Sequence, residues 1–254
     1  VTPSGTRTGG ATRVAELLSG AERAVVLTGA GVSVPSGIPD FRTPGEGLWE
    51  KVNPMEVAHI DAFRRDPDRF WSFYSERFTG LVDKQPNPAH DAIAELERRG
   101  LVCGVITQNV DRLHRQAGSR RVVEVHGSID HCVCPECGGR VTLEEVLELI
   151  ESGSPTPECV ACIAALKPDV VLFGELLPQA AIAEAHALAQ DADLMICVGS
   201  SLEVFPVAAL PGLTLDSGGR LVLVTQGPTP YDADAEVKLD GDVVTELGAV
   251  LAAL

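Results

Sequence analysis

The chain has 254 residues, 45% of them apolar and 22% charged, an ordinary globular balance that excludes disorder throughout and excludes a small disulfide-stapled scaffold. Lys and Arg number 20 against 36 Asp and Glu, a formal charge of −16 that disfavours a nucleic-acid backbone, so no direct nucleic-acid partner is expected. No run approaches the roughly 18 to 20 uncharged apolar residues of a bilayer span, so no membrane partner is expected either.

Residues 1–10 are polar and rich in Gly, Ser and Thr, which predicts a flexible tail rather than a signal peptide, and with it a cytoplasmic monomer. The excess acidity suits basic peptides at long range, although solubility alone accounts for it. Helical spacing over 12–18 leads to a buried strand over 24–28, which empties into Gly29-Ala30-Gly31. Residues 34–60 are Pro- and Gly-rich with no sustained period and predict a long ordered loop, a feature that in compact domains is usually functional. Helical spacing returns over 66–81 with Phe70, Trp71, Phe73, Tyr74 and Phe78. Asn87-Pro88 opens a helix through Leu96, with Gly100 beyond its end. Strands follow over 101–107 and 122–125, and Thr142-Leu143-Glu144-Glu145 fits a capping box that opens a helix to Ile150. A strand over 168–173, a helix over 178–190, strands over 194–198 and 221–225 and a helix over 243–254 complete the order. Apolar strands alternating with helices predict an α/β fold with a parallel sheet covered on both faces.

Five of the seven cysteines interrupt that rhythm. Cys134 and Cys137 form one pair with a two-residue gap, and Cys159 and Cys162 form a second after 21 intervening residues. In a chain with no export signal, such clustering points to metal before disulfides. A two-residue gap lets both thiolates of a knuckle reach one tetrahedral ion at about 2.3 Å. Two knuckles fill all four positions, so the zinc is structural and has no place for a reacting water. Cys132 stands at the wrong gap from Cys137. Zinc would supply on the order of 10 kcal/mol to an inserted module whose own core is too small.

Small residues at Thr28-Gly29-Ala30-Gly31-Val32-Ser33 let backbone approach a ligand closely, and a helix beginning there would offer N–H groups to a pyrophosphate. Gly199-Ser200-Ser201 is a second glycine turn at a strand end, and two such ends in one crevice favour a nucleotide. Gln108, Asn109 and Asp111 leave the strand ending at Thr107, where packing gives little reason for three polar side chains; helix capping is the competing explanation. His126 ends a strand beside Gly127, unlike the other histidines.

Taken together, these blocks resemble the sirtuin family, the NAD-dependent protein lysine deacylases. The matching pieces are 29–33, Ser36-Gly37-Ile38-Pro39-Asp40-Phe41-Arg42, Thr107-Gln108-Asn109-Val110-Asp111-Arg112-Leu113-His114, His126-Gly127, the two cysteine pairs, 167–175 and 198–204, in an order that covers residues 12 to 250. The resemblance implies a Rossmann-like parallel sheet over 11–131 and 165–254, a four-cysteine zinc module over 132–164 and a loop and helical segment over 34–86 covering the cleft. It implies that Gly29, Ala30, Gly31 and Ser33 line the NAD phosphates and ribose, that Asp40, Phe41 and Arg42 fold over the cofactor, and that Gln108 contacts the nicotinamide ribose. Asn109, counted with His126 as catalytic, and Asp111 would hold the carboxamide side. Gly199, Ser200 and Ser201 would take the adenosine end. Thr225 and Gln226 join them, where many relatives carry an Asn. Val171, Leu172, Phe173, Gly174 and Glu175 would add an acyl-lysine protein substrate as a strand.

The implied chemistry begins with the acyl oxygen attacking the ribose carbon as nicotinamide departs. His126 then acts as general base towards a ribose hydroxyl, and water finally releases lysine and O-acyl-ADP-ribose. Tyr74 and Arg77, three apart on one helix face, resemble the pair of relatives that remove succinyl or malonyl groups. Those relatives usually carry Ala and Thr where Pro44 and Asp40 stand here, so deacetylation is the default. Protein ADP-ribosyl transfer shares the first step and is the nearer alternative. A nicotinamide-dependent oxidoreductase is disfavoured by the missing third glycine and by the lack of an acidic residue about 20 positions after the loop.

Overall fold

The computed structural model describes residues 5–40 and 52–254, with side chains from residue 9 onward. In chain order the helices are α1 (Gly5–Gly20), α2 (Pro54–Val57), α3 (Ile60–Arg65), α4 (Pro67–Val82), α5 (Pro88–Arg98), α6 (Leu113–Gln116), α7 (Leu143–Glu151), α8 (Gln179–Asp191), α9 (Leu210–Asp216) and α10 (Val243–Ala253). The strands are β1 (Ala24–Thr28), β2 (Val105–Thr107), β3 (Val122–Glu124), β4 (Gly127–Val133), β5 (Arg140–Thr142), β6 (Lys167–Val170), β7 (Leu194–Val198), β8 (Arg220–Val224) and β9 (Val237–Leu239).

Six strands form one sheet in the order β3-β2-β1-β7-β8-β9, every pair parallel. From β1 the chain moves outward to β2 and β3, then returns to the other side of β1 for β7, β8 and β9. The winding therefore reverses between β1 and β7, and the crevice beyond their carboxyl ends is where such sheets bind ligands. Residues of β1 and β7 are buried throughout because helices cover both faces. Val26, Ile196 and Val222 meet Leu17 and Leu18 of α1, Ile93 and Leu96 of α5 and Leu247 of α10. Their neighbours one residue on, Leu27, Cys197 and Leu223, point the other way to Leu188 of α8 and Leu210 of α9. No helix among the described residues is long and apolar enough to cross a membrane.

A second sheet, β5-β4-β6, is antiparallel and carries the cysteines beside it. Its core is shared with the helices that precede it: Phe63, Phe70, Trp71 and Phe78 pack with Ile129, Leu143, Val146, Leu166 and Leu172. Trp71, wholly buried, donates its indole N–H to the Leu166 carbonyl at 2.9 Å. The aromatic helix and the cysteine segment thus make one unit against the parallel sheet.

Several elements depart from the sequence reading. The strand expected over 168–173 in the parallel sheet is β6, paired antiparallel with β4 in the small sheet. Periodicity marks a strand without naming its partner. Helix α1 starts at Gly5 and so takes in residues read as tail, although the residues that pack with α10, Ala11, Val14, Leu17 and Leu18, all lie beyond them. The expected loop over 34–60 contains α2 and the start of α3, too short for any period; Asn53 and His59 cap them by accepting from the Met55 and Asp61 N–H groups. The strand over 101–107 is cut to β2 because the Leu101 and Val102 N–H groups close the end of α5 on the Leu96 carbonyl. Strands β4, β5 and β9 and helix α9 carry no signal that the sequence reading used.

Candidate active site and metal centre

The two glycine turns meet at the reversal point. Gly29 donates to the Val198 carbonyl at 3.1 Å and Gly31 to the Gly199 carbonyl at 2.8 Å. A Cβ on Gly199, at φ +61°, would lie 2.3 Å from the Val32 nitrogen, and one on Gly31 would lie 2.8 Å from the Gly199 carbonyl oxygen. These glycines are small because the turns pack backbone on backbone, whatever lies above them. The chain continues from Gly29 as two 3₁₀ turns, Ala30–Val32 and Val34–Ser36, and not as the helix expected there; Pro35 and left-handed Gly37 break the run. The Ala30 N–H, at the start of the first turn, makes no hydrogen bond to a loop or turn carbonyl among the described residues.

Polar side chains from the loop after β2 meet this floor. Gln108 donates to Ser200 Oγ at 2.9 Å, bridging the two strand ends. Asn109 donates from Nδ2 to the Gly29 carbonyl and to Ser33 Oγ, both at 3.1 Å. Buried Asp111 accepts from Ser33 Oγ at 2.6 Å on one oxygen and from the Leu113 N–H at 3.0 Å on the other, so it joins the glycine loop to the first residue of α6. Ser201 is half-buried beside Ser200. Thr225, buried at the end of β8, and exposed Gln226 extend the same edge, since the Gly199 N–H donates to the Val224 carbonyl. Asp40 is half-buried at the end of the described stretch, and Phe41 and Arg42 lie outside the described residues.

His126 is half-buried beside the same loop. Its Nδ1 lies 2.9 Å from the Gln108 carbonyl, which only accepts, so Nδ1 carries the proton and Nε2 holds a free lone pair. Burial lowers the imidazole pKa below its ordinary value, and the bond to Gln108 offsets only part of that. Gly127, at φ +79°, admits no side chain, because a Cβ there would stand 2.1 Å from the Asp169 carbonyl oxygen. The Val171 N–H donates to the His126 carbonyl at 2.8 Å, which ties the imidazole's backbone to the segment expected to receive peptide.

That segment is largely paired within the chain. Phe173 exchanges backbone bonds with Ala58 and Ile60, and the Leu172 N–H donates to the Glu175 carboxylate at 2.9 Å. Gly174, at φ +85°, packs against His59. Tyr74 and Arg77 meet aromatic side chains of α4: Tyr74 stacks on Phe78 with centroids 5.2 Å apart, and burial pushes its phenol up to about 12. The Arg77 guanidinium lies 3.5 Å over the Phe73 ring and donates to the Phe73 carbonyl.

Sequence reading missed the layer under Ser33. His90, wholly buried, places Nε2 3.4 Å from Ser33 Oγ, and His114 places Nε2 2.9 Å from Thr28 Oγ1, which donates to Thr107 Oγ1. The two rings meet edge to face at 4.9 Å. Burial, with His90 adding to it, pushes His114 down to about 3. The usable signal was position: His90 stands third in a helix capped by Asn87 and completes its capping box.

At the far side of the small sheet the sulfurs of Cys134, Cys137, Cys159 and Cys162 all lie within 4.8 Å of one another, with Cys134 to Cys162 at 3.4 Å and Cys137 to Cys159 at 3.5 Å. A tetrahedron of thiolates about 2.3 Å from zinc has edges of about 3.8 Å. Backbone N–H groups depress two of these thiols, that of Cys137 acting on Cys134 and that of Ala161 on Cys159, while hydrogen bonds among the sulfurs raise the other two, Cys137 and Cys162. Cys132 lies outside the set, and burial pushes its thiol up to about 12.

A doubly wound sheet with paired glycine turns at its reversal point, a half-buried imidazole beside them and a four-cysteine cluster that fits zinc are the marks of a dinucleotide-binding enzyme. The model of the Sir2 family matches residues 29–206, and the chain belongs to that family. It is 46% identical over 229 residues to an NAD-dependent protein deacetylase of Thermotoga maritima, covering 90% of this chain and 92% of that protein. It is 47% identical over 230 residues to the NAD-dependent protein deacylase 2 of Archaeoglobus fulgidus, covering 90% of each. A solved Sir2 complex with a deacetylated p53 peptide and 3′-O-acetyl-ADP-ribose superposes with a TM-score of 0.91 at 43% identity, covering 94% of this chain and 96% of that one. Sir2Tm bound to a propionylated peptide gives 0.87 at 42% identity with the same coverage.

Proposed function

We propose that this chain removes acyl groups, acetyl foremost, from protein lysines with consumption of NAD, releasing nicotinamide and O-acyl-ADP-ribose. The observation that carries the reading is the fixed tautomer of His126: Nδ1 bonded to Gln108 leaves Nε2 as the basic nitrogen beside the loop of Asn109 and Asp111. NAD, when bound, supplies the ribosyl carbon that takes over the acyl oxygen. All else falls to the chain. Ala30 offers its N–H to phosphate, Gly29, Gly31 and Ser33 shape the floor, and Ser200, Ser201, Thr225 and Gln226 take the adenosine end. Gln108, Asn109 and Asp111 orient the nicotinamide side. His126 Nε2 takes a proton from a ribose hydroxyl.

The acyl peptide adds beside Val171–Glu175. Because the Phe173 backbone is already paired, the peptide bonds at other positions of this segment or displaces residues 58–60. An acetyl preference is supported by Arg77, whose guanidinium is committed to Phe73 and not held out for a distal carboxylate. The division into a Rossmann-like part (11–131 and 165–254) and a zinc module (132–164) fits this reading once strands β4 and β6 go with the module. The test is incubation with NAD and a panel of acetyl-, succinyl- and longer-chain lysine peptides. Free nicotinamide with O-acyl-ADP-ribose, fastest for acetyl, is expected. NADH, or ADP-ribose attached to protein, would overturn the reading.

A further inference from the structure

Three described residues other than glycine hold left-handed backbone: Arg112 at φ 68°, Ile163 at 64° and Leu202 at 54°. Arg112 directly follows Asp111, and a side chain at such a φ is disfavoured relative to glycine. Its own side chain is 14% exposed, and its Nη1 reaches both Asp130 Oδ1 at 3.3 Å and Glu144 Oε1 at 3.2 Å. Its Nε is buried without a partner. Asp130 stands in β4, which runs straight into Cys134, and Glu144 stands in the first turn of α7, whose Leu143 and Val146 pack in one core with Cys134 and Cys159. The Ile129 N–H adds a backbone bond to the Val110 carbonyl at 3.1 Å, immediately before Asp111. A disfavoured backbone and an incompletely satisfied guanidinium are retained where one side chain spans from the cofactor loop to the zinc-bearing unit.

We propose that Arg112 is a positioning residue that couples the zinc-bearing unit to the nicotinamide side of the cofactor site. The inference rests on the reading that Asn109 and Asp111 hold NAD. Zinc takes no part in bond making, yet through Arg112 the metal unit sets how Asp111 meets Ser33 and α6. Because coupling between two sites is reciprocal, NAD binding tightens the hold on zinc by the same factor as zinc tightens the hold on NAD.

The test measures zinc transfer to a chromophoric chelator with and without NAD, together with KM for NAD and for acetyl peptide and the thermal midpoint. Arg112→Gly removes the strut and suits left-handed backbone better than arginine, so the variant is expected to fold. Asp130→Asn combined with Glu144→Gln leaves residue 112 untouched and discharges its partners, and it carries the same test should Arg112→Gly not fold. In the wild-type chain NAD slows zinc loss. Both variants lose that protection and raise KM for NAD about fivefold or more, with KM for peptide and the midpoint unchanged. A variant that keeps both wild-type values overturns the proposal, as does a wild-type chain that releases nicotinamide while NAD leaves zinc loss unaltered. A wild-type chain that releases no nicotinamide overturns the cofactor reading instead.

Discussion

As the proposed base His126 must be neutral, and burial shifts the pH range that allows this. Its pKa is held below the ordinary value of about 6.5, so the acid limb of kcat/KM lies below that pH. A pH profile of nicotinamide release measures this, and an acid limb centred above 6.5 would contradict the assignment. The histidines under Ser33 act on stability instead. His114 is pushed down to about 3, so between pH 6.5 and 3 the unfolded chain binds a proton that the folded chain refuses. Stability is therefore full above 6.5 and is lost as pH falls through that window. Denaturant titrations across it should show His114→Gln reducing the slope by about 1.4 kcal/mol per pH unit, the value for one proton. An unchanged slope would mean that His114 does not carry that difference.

At the scale of elements, turns and strand pairings hold the site. Gly127 starts β4 at a left-handed φ with its Cα against the Asp169 carbonyl, so Gly127→Ala forces β4 and β6 apart beside His126. A loss of several kcal/mol in thermal or denaturant unfolding is expected, with activity lost alongside. Zinc acts on the same sheet. Chelation should melt the β5-β4-β6 unit and the aromatic core it shares with α4 while the parallel sheet persists, read as lost Trp71 environment in fluorescence with strand and helix signal partly retained. Unchanged fluorescence and activity after verified metal loss would refute a structural zinc. The sequence picked out the four cysteines that cluster, because two-residue gaps leave few alternatives, and it revealed helices such as α5 and α7 through their caps. It misplaced β6, because an apolar run such as 168–173 suits either sheet and only the register with β4 decides.

Over the whole molecule, function follows from one topological fact: β1 and β7 are neighbours although some 165 residues separate them, a placement that the βαβ rule permits without specifying. That adjacency turns two weak motifs, Gly29-Ala30-Gly31 and Gly199-Ser200-Ser201, into one crevice. That the glycine turns at 29–31 and 199–201 and the polar set Gln108, Asn109 and Asp111 follow strand ends was legible beforehand; the buried His90 and His114 were not, since a histidine within a helix looks the same whether it faces solvent or a loop floor. The interlock of the glycine turns was also hidden, because spacing cannot distinguish close approach to a ligand from close approach to another turn. The central claim is that His126 Nε2 is the base for a step that follows departure of nicotinamide. Product analysis of wild type and His126→Ala with NAD and an acetyl-lysine peptide tests it most directly. Wild type is expected to give one nicotinamide and one O-acetyl-ADP-ribose per deacetylated lysine, and the variant intact folding and NAD binding with no O-acetyl-ADP-ribose. Formation of O-acetyl-ADP-ribose by the variant at a near wild-type rate would contradict it.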